Sequence, residues 1–267
     1  MKRAGIGRMA LRIASAAVLV FLYFPLLLVV AYAFNPSGTS AWPPSGFSLH
    51  WVEVALANSG LREAFLTSIA AALGATTIAI VLGTLASMAV ARNRFFGRET
   101  ISFVVIFPIA LPGIVTGMAL STTFATTTIP LGLFAIIVAH ATFCVVLVYN
   151  NVIARLRRLS SSLEEASADL GADTWQTFRY ITWPNVRSAV LAGALLAFAL
   201  SFDEVIVTIF TAGPGTQTIP MWIYQAIGRP TELPVVNVVA LSLVLLSVIP
   251  VWLAQRIAGG EAATLTR

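Results

Sequence analysis

Residues 160–171 read Ser160-Ser161-Ser162-Leu163-Glu164-Glu165-Ala166-Ser167-Ala168-Asp169-Leu170-Gly171, and nine residues later come Ile181-Thr182-Trp183-Pro184. This is a polar island in an apolar chain. The three serines can supply a helix N-cap, and Glu164 and Glu165 fall in the first turn, where the helix dipole favours negative charge. Leu163, Ala166 and Leu170 share one helical face by their spacing. Gly171 permits a left-handed turn at low cost. Trp175, Phe178 and Ile181 then form a second stripe, and Pro184 reads as a stop before the next apolar run. The pattern predicts two short amphipathic helices set at an angle, a rigid knob. Two readings fit it: a docking element for a soluble partner, and an interfacial helix pair resting on lipid, which Trp175 and the nearby arginines also suit.

The rest of the chain sets the context. It has 267 residues, 58% hydrophobic and 10% charged, where a soluble domain carries about 25% charged residues. Its mean hydropathy is +0.89. That composition predicts an all-α integral membrane protein, a single transmembrane domain over 1–267 with almost no room for a soluble one. The single cysteine, Cys144, excludes an internal disulfide and a cysteine metal cluster. The net charge of +5 is no nucleic-acid signature, because the basic residues are spread over membrane-flanking loops.

Six apolar runs reach the roughly 20 residues that a spanning helix needs: about 11–34, 64–91, 99–123, 131–153, 188–211 and 235–256. Basic residues orient them. Four segments share one side: the N-terminal tail (Lys2, Arg3, Arg8, Arg12), the 92–98 loop (Arg92, Arg94, Arg98), the 154–187 loop (Arg155, Arg157, Arg158, Arg179, Arg187) and the C-terminal tail (Arg256, Arg267). Only Arg62 and Arg229 of the sixteen basic residues fall opposite. Both termini and the 154–187 loop are therefore expected in the cytoplasm. Ala31-Tyr32-Ala33 resembles a signal-peptide cleavage site, but the apolar run before it is longer than an ordinary signal core. The first span is expected to be retained. On the outer side, the 35–63 loop carries Trp42 and Trp51, which suit the membrane interface. The 212–234 loop predicts a turn at Gly213-Pro214-Gly215 and then a short helix over 219–227.

Within the third run, Pro108 and Pro112 predict a kink, because each removes a backbone hydrogen bond. A pathway-lining hinge and close packing around Gly113 and Gly117 are equally open readings. Asp203 and Glu204 lie inside the fifth run. An intramembrane carboxylate demands partners or a function. If 188–211 is one helix, adjacent residues point about 100° apart, so the two cannot face one pathway together. Phe202, Phe210, Trp222 and Tyr224 are close enough in sequence to offer aromatic faces to a cation. Structural pairing of the acids and lipid-facing or interfacial aromatics are the plainer alternatives. His140 reads as a hydrogen-bonded helix contact, Gly83 as a point of close helix approach, and Asn150 and Asn151 as the end of a span.

The 165–184 spacing resembles the EAA loop of bacterial ABC-importer permeases: Glu-Ala-Ala, three residues, Gly, nine residues, Ile-x-Leu-Pro. Here it runs Glu165-Ala166-Ser167, Gly171, Ile181-Thr182-Trp183-Pro184. Ser167 replaces the second alanine and Trp183 replaces the leucine. The stretches 196–204 and 211–220, with Pro234 and Asn237, are similar to the second permease of spermidine/putrescine importers. The resemblance covers about 160–240 closely and the rest by topology. It implies the type I permease fold of ABC importers in the bacterial inner membrane. It assigns Glu165, Ala166, Ser167, Gly171, Ile181 and Pro184 to coupling with an ATPase. Asp203, Glu204, Phe202, Trp222 and Tyr224 are the candidates for the substrate pathway. The implied partners are an ATP-binding cassette ATPase dimer, a second homologous permease, an extracytoplasmic solute-binding protein and the lipid bilayer, with no nucleic acid.

No Gly-x-x-x-x-Gly-Lys-Ser/Thr phosphate loop occurs in the chain. No cofactor is expected in it, and ATP and magnesium belong to the partner. His-Glu-x-x-His and Gly-x-Ser-x-Gly are absent too, which argues against a membrane enzyme. The expected function is alternating-access import of a small cationic solute, spermidine or putrescine. The alternatives are another solute, such as an opine or other amino compound, and a stand-alone channel or secondary carrier, which would have no use for a docking loop.

Overall fold

The computed structural model describes residues 2–39, 41–93 and 95–264, with side chains described except at 2–8, 10 and 249–264. Arg94 and Arg267, and the side chains of Lys2, Arg3, Arg8 and Arg256, lie outside the described residues. Among the described residues the regular structure is entirely helical. In chain order the helices are α1 (Lys2–Ala33), α2 (His50–Ala57), α3 (Ser59–Arg92), α4 (Arg98–Ala110), α5 (Gly113–Thr126), α6 (Leu133–Leu156), α7 (Ser162–Asp169), α8 (Thr174–Thr177), α9 (Trp183–Asp203), α10 (Ile206–Thr211), α11 (Ile219–Ala226) and α12 (Leu233–Thr264). Five stretches are long and apolar enough to cross a membrane: Leu11–Ala33, α3, α6, Thr174–Asp203 and Pro230–Val248. The pair α4 and α5 makes a sixth if a sharply bent span is counted.

The protein divides into two compact units, 1–62 with 223–249 and 63–222 with 250–267. In the first, the apolar length of α1 is unburied within the chain, as suits a helix whose solvent is lipid. The loop after it is built around buried Asn35. Its Oδ1 accepts from the Ser37 and Ser45 N–H groups and the Ser45 hydroxyl, and its amide donates to the Thr39 carbonyl. Trp51 donates its indole N–H to the Asn35 carbonyl at 3.0 Å.

In the second unit α6 is the central helix. A Cβ at Gly193 of α9 would lie 2.7 Å from Val148 Cα, and one at Gly83 of α3 would lie 2.9 Å from Val148 Cβ. Glycine thus lets two helices close on α6 at the same level, the small-residue packing that replaces hydrophobic drive inside lipid. Around it Ala75, Ala79, Ala139, Cys144, Val152 and Ala197 are buried in one core.

Two expected spans are not single helices. The third turns by 107° between α4 and α5, far more than a kink. Pro108 is accommodated inside α4, so the break belongs to Pro112. That proline cannot donate back to the Pro108 carbonyl, and its ring drives Leu111 to ψ 141°. The fifth, expected unbroken over 188–211, stops at Asp203. Glu204 is extended (φ −75°, ψ 123°) and α10 starts afresh at Ile206. The two breaks meet: a Cβ at Gly113, the first residue of α5, would lie 3.4 Å from Ile206 Cγ2. Gly117 packs tighter still, 2.6 Å from Phe210 Cδ2 by the same measure. Both glycines therefore serve close packing, and Phe210 is a packing residue.

The connection expected at 154–187 is shorter. Asn150 and Asn151 do not end α6, which continues to Leu156. Pro184 does not stop the second short helix either. It is the second residue of α9, and the helix passes through it. A π-turn over Phe178–Thr182 precedes it, with the Trp183 N–H reaching back to the Phe178 carbonyl. Widening the helix there makes room for the proline ring, and one continuous helix runs Thr174–Asp203.

Candidate functional site

In the 157–182 connection, α7 ends in a Schellman turn. The Gly171 N–H donates to the Ala168 carbonyl at 2.9 Å and the Ala172 N–H to that of Ser167 at 3.1 Å. Gly171 takes φ +82° with nothing within 4 Å of where a Cβ would sit, so glycine is required by the backbone and not by space. Asp173 then caps α8 in a reciprocal box with Gln176, at 2.8 and 2.9 Å.

The faces of α7 are inverted relative to a helix packed on its own protein. Leu163, Ala166 and Leu170 share a face as predicted, but that face points outward, and Leu170 is 89% exposed. The polar residues point inward. Ser167 shares a 3.0 Å hydrogen bond with Thr177. Glu164 Oε1 lies 3.0 Å from an Arg92 guanidinium nitrogen and accepts from the Thr182 hydroxyl at 3.0 Å. Glu165 is exposed. Trp175, 67% exposed, begins an aromatic row through Phe178 to Trp183, with ring centroids 5.5 and 6.3 Å apart. Trp183 packs on the core around α6, so its extra bulk over leucine is absorbed by the span bundle. Of the predicted coupling residues, Glu165, Ala166, Gly171 and Pro184 are exposed, Ile181 is half-buried, and Ser167 faces inward.

The second cluster surrounds the break in the fifth span. Glu204 Oε1 accepts the Val207 N–H at 2.9 Å, satisfying a first-turn donor of α10 that has no helical partner. His140 of α6 is fully buried and bridges the break. Its Nδ1 lies 2.8 Å from Ser201 Oγ on α9 and its Nε2 lies 2.9 Å from Thr208 Oγ1 on α10. The Thr208 hydroxyl itself donates to the Glu204 carbonyl at 2.9 Å. It must therefore accept from His140, which places the ring proton on Nε2 and leaves Nδ1 to accept from Ser201. One neutral imidazole completes an unbroken hydrogen-bonded chain across the gap. His140 is the helix contact expected of it, but sequence gave no hint that a broken helix was what it held.

Asp203 is different. It ends α9 exposed, with no hydrogen-bond or ion-pair partner among the described residues. Its carboxylate adds to the negative pole that any helix presents at its C-terminus. The expectation that the two acids diverge by 100° on one helix is replaced by a sharper division, because the helix ends between them. Phe202 lies beside Phe65 and Phe198, at ring distances of 6.4 and 5.9 Å. Trp222 is half-buried in the same unit, whereas Tyr224 falls in the other. Sequence reasoning missed Arg92, Glu164 and Thr182 as a set. Their only signal was that Glu164 and Ser167, three apart, fall on one flank of the apolar stripe.

Residues 75–260 match the family described as binding-protein-dependent transport system inner membrane component. The chain is 35% identical over 228 residues to the putrescine transport system permease protein PotI of Escherichia coli (strain K12), covering 82% of this chain and 80% of that one. It is 32% identical over 254 residues to the spermidine/putrescine transport system permease protein PotC of the same strain, covering 95% of each. Among solved structures, a bacterial ABC transporter involved in import of the acidic polysaccharide alginate aligns with TM-score 0.77 over 96% of this chain and 98% of its own, at 14% identity. The same transporter in complex with an alginate pentasaccharide-bound periplasmic protein aligns with TM-score 0.72. At that identity the likeness is one of fold. The chain belongs to the binding-protein-dependent transport system inner membrane component family, the multi-pass permeases of ABC importers in the bacterial inner membrane.

Proposed function

We propose that this permease carries a polyamine, spermidine or putrescine, into the cytoplasm. The observation that carries the reading is the unpartnered Asp203 carboxylate at the end of α9, partway along the fifth span. A carboxylate on the negative end of a helix favours a cation, and Phe202 beside it adds an aromatic face for an ammonium group. The polyamine permeases related to the chain support the same solute class. Glu204 has a lesser part: it holds the break.

The chain pairs with a second, homologous permease and sits on an ATPase dimer, both termini in the cytoplasm. An extracytoplasmic binding protein delivers the solute. ATP with magnesium, held by the ATPase subunits, supplies the free energy. The exposed apolar face of α7, with Glu165 and Ala166, docks on the ATPase, and its displacement switches the spans from facing in to facing out. The outward apolar stripe supplies the exposed face that docking on a protein needs.

The test is ATP hydrolysis by the reconstituted complex with its binding protein, presented with spermidine, putrescine and a panel of other amino compounds. Stimulation by a polyamine supports the assignment. Stimulation only by another solute keeps the importer and overturns the polyamine.

A further inference from the structure

Glu164 and Glu165 are neighbours with opposite surroundings. Glu165 looks outward from α7, while one oxygen of Glu164 takes two partners at 3.0 Å, Arg92 and Thr182. Arg92 is the last residue of α3. Thr182 is buried and closes the π-turn that leads into α9. A single carboxylate therefore ties the short helix to the ends of two long ones. No apolar residue of α7 is buried, so hydrophobic packing does not hold the helix. What holds it are polar bonds of fixed geometry: the Glu164 pair, and Ser167 to Thr177 on α8. The ion pair is part-buried, with side chains 22% and 25% exposed, and Arg92 Nε is buried without a hydrogen-bond partner among the described residues. Shielding of this kind strengthens a charged hydrogen bond relative to a surface pair.

We infer that Glu164 is the positioning residue through which movement of α7 reaches the spans, gripping α3 through Arg92 and α9 through Thr182. This rests on the reading of α7 as the element that docks on the ATPase. A docking helix held only by flexible connections would move without moving anything else. The clamp removes that slack at two spans at once. The π-turn is part of the same device, since it brings Thr182 to Glu164 two residues ahead of Pro184.

The experiment uses the full complex in proteoliposomes with its binding protein, and reads solute taken up per ATP hydrolysed, together with retention of the ATPase subunit on the purified permease. Glu164→Ala should keep the ATPase subunit bound but lower uptake per ATP about tenfold, the scale of losing a charge-assisted hydrogen bond. The exchange Arg92→Glu with Glu164→Arg should restore most of the ratio, which a general loss of stability would not do. It also serves if Glu164→Ala fails to fold. Thr182→Val should lower the ratio less. Glu165→Lys, on the outward face, should instead release the ATPase subunit. If Glu165→Lys releases the subunit while Glu164→Ala keeps the wild-type ratio, or if the charge exchange is no better than Arg92→Glu alone, the clamp is overturned and the docking reading stands. If Glu165→Lys neither releases the subunit nor alters hydrolysis, the docking reading falls and takes the clamp with it.

Discussion

Two pairs of adjacent acids, one in the 157–182 connection and one inside the fifth span, divide their labour in the same way by different means. In each pair one carboxylate holds the fold and the other stands free. Glu164 grips Arg92 and Thr182 while Glu165 faces outward. Glu204 caps α10 while Asp203 is exposed. In the connection the division follows from helix geometry, since consecutive side chains diverge by about 100°. Inside the span the helix simply ends between the two residues. The holding partners differ as well. Beside water the acid takes a guanidinium and a hydroxyl. At the break it takes a backbone N–H, the group that most needs an acceptor where water is scarce. The comparison teaches that a charge in a membrane span need not be there for a solute. Its neighbour can be, once the backbone's own demands are met.

The comparison breaks most readily at the break itself. His140→Ala removes both bonds across the gap and opens a cavity, and should cost about 2–4 kcal/mol in thermal unfolding of the purified protein. If the loss is under about 0.5 kcal/mol, the range of an ordinary surface change, the imidazole chain does not hold α9 to α10. Next comes Glu204→Ala, which strips the acceptor from the Val207 N–H and should cost about 1–3 kcal/mol. Glu204→Gln keeps an acceptor oxygen and should recover most of that. Equal losses in the two variants would mean that charge, and not capping, is what Glu204 supplies.

Gly171→Ala sharpens the other half. It meets no neighbour but must hold φ +82°, so about 1 kcal/mol is expected from conformation alone. The check is a detergent melting curve alongside a Gly171→Asn variant, which tolerates the left-handed region better and should lose less. Smallest of all is Asp203→Asn, expected to shift stability by no more than about 0.5 kcal/mol. A large destabilisation would show that Asp203 has a structural partner and is not the free member of its pair.

These outcomes also mark what the sequence made legible. Six apolar runs and their charge pattern identify a polytopic helical protein, because length and hydropathy are what a bilayer selects. Pro112 announced a disturbance in the third run, and the rule for the residue before proline explains why Leu111 leaves the helix. The size of the turn, 107°, depends on packing against α10 and could not be read locally. The break after Asp203 was hidden for a plainer reason. Apolar residues resume at once, Val205-Ile206-Val207, with neither proline nor glycine to mark the spot, and the only trace is the acid pair itself. Pro184 misled in the other direction, since a proline that can stop a helix can also be carried inside one where a π-turn widens the backbone before it. In α7 the periodicity identified the apolar face correctly but said nothing of which way it points. Which way a short helix turns its apolar face depends on what surrounds it, and those surroundings leave no periodicity of their own in the chain.

The most direct test compares the two intramembrane acids in one assay: spermidine uptake by the reconstituted importer for wild type, Asp203→Asn and Glu204→Gln. If the free carboxylate lies on the solute's path, uptake should fall about tenfold or more for Asp203→Asn, with its melting temperature unchanged, and remain near wild type for Glu204→Gln. Wild-type uptake by Asp203→Asn, or a loss confined to Glu204→Gln, would contradict the assignment of the free carboxylate to the solute's path.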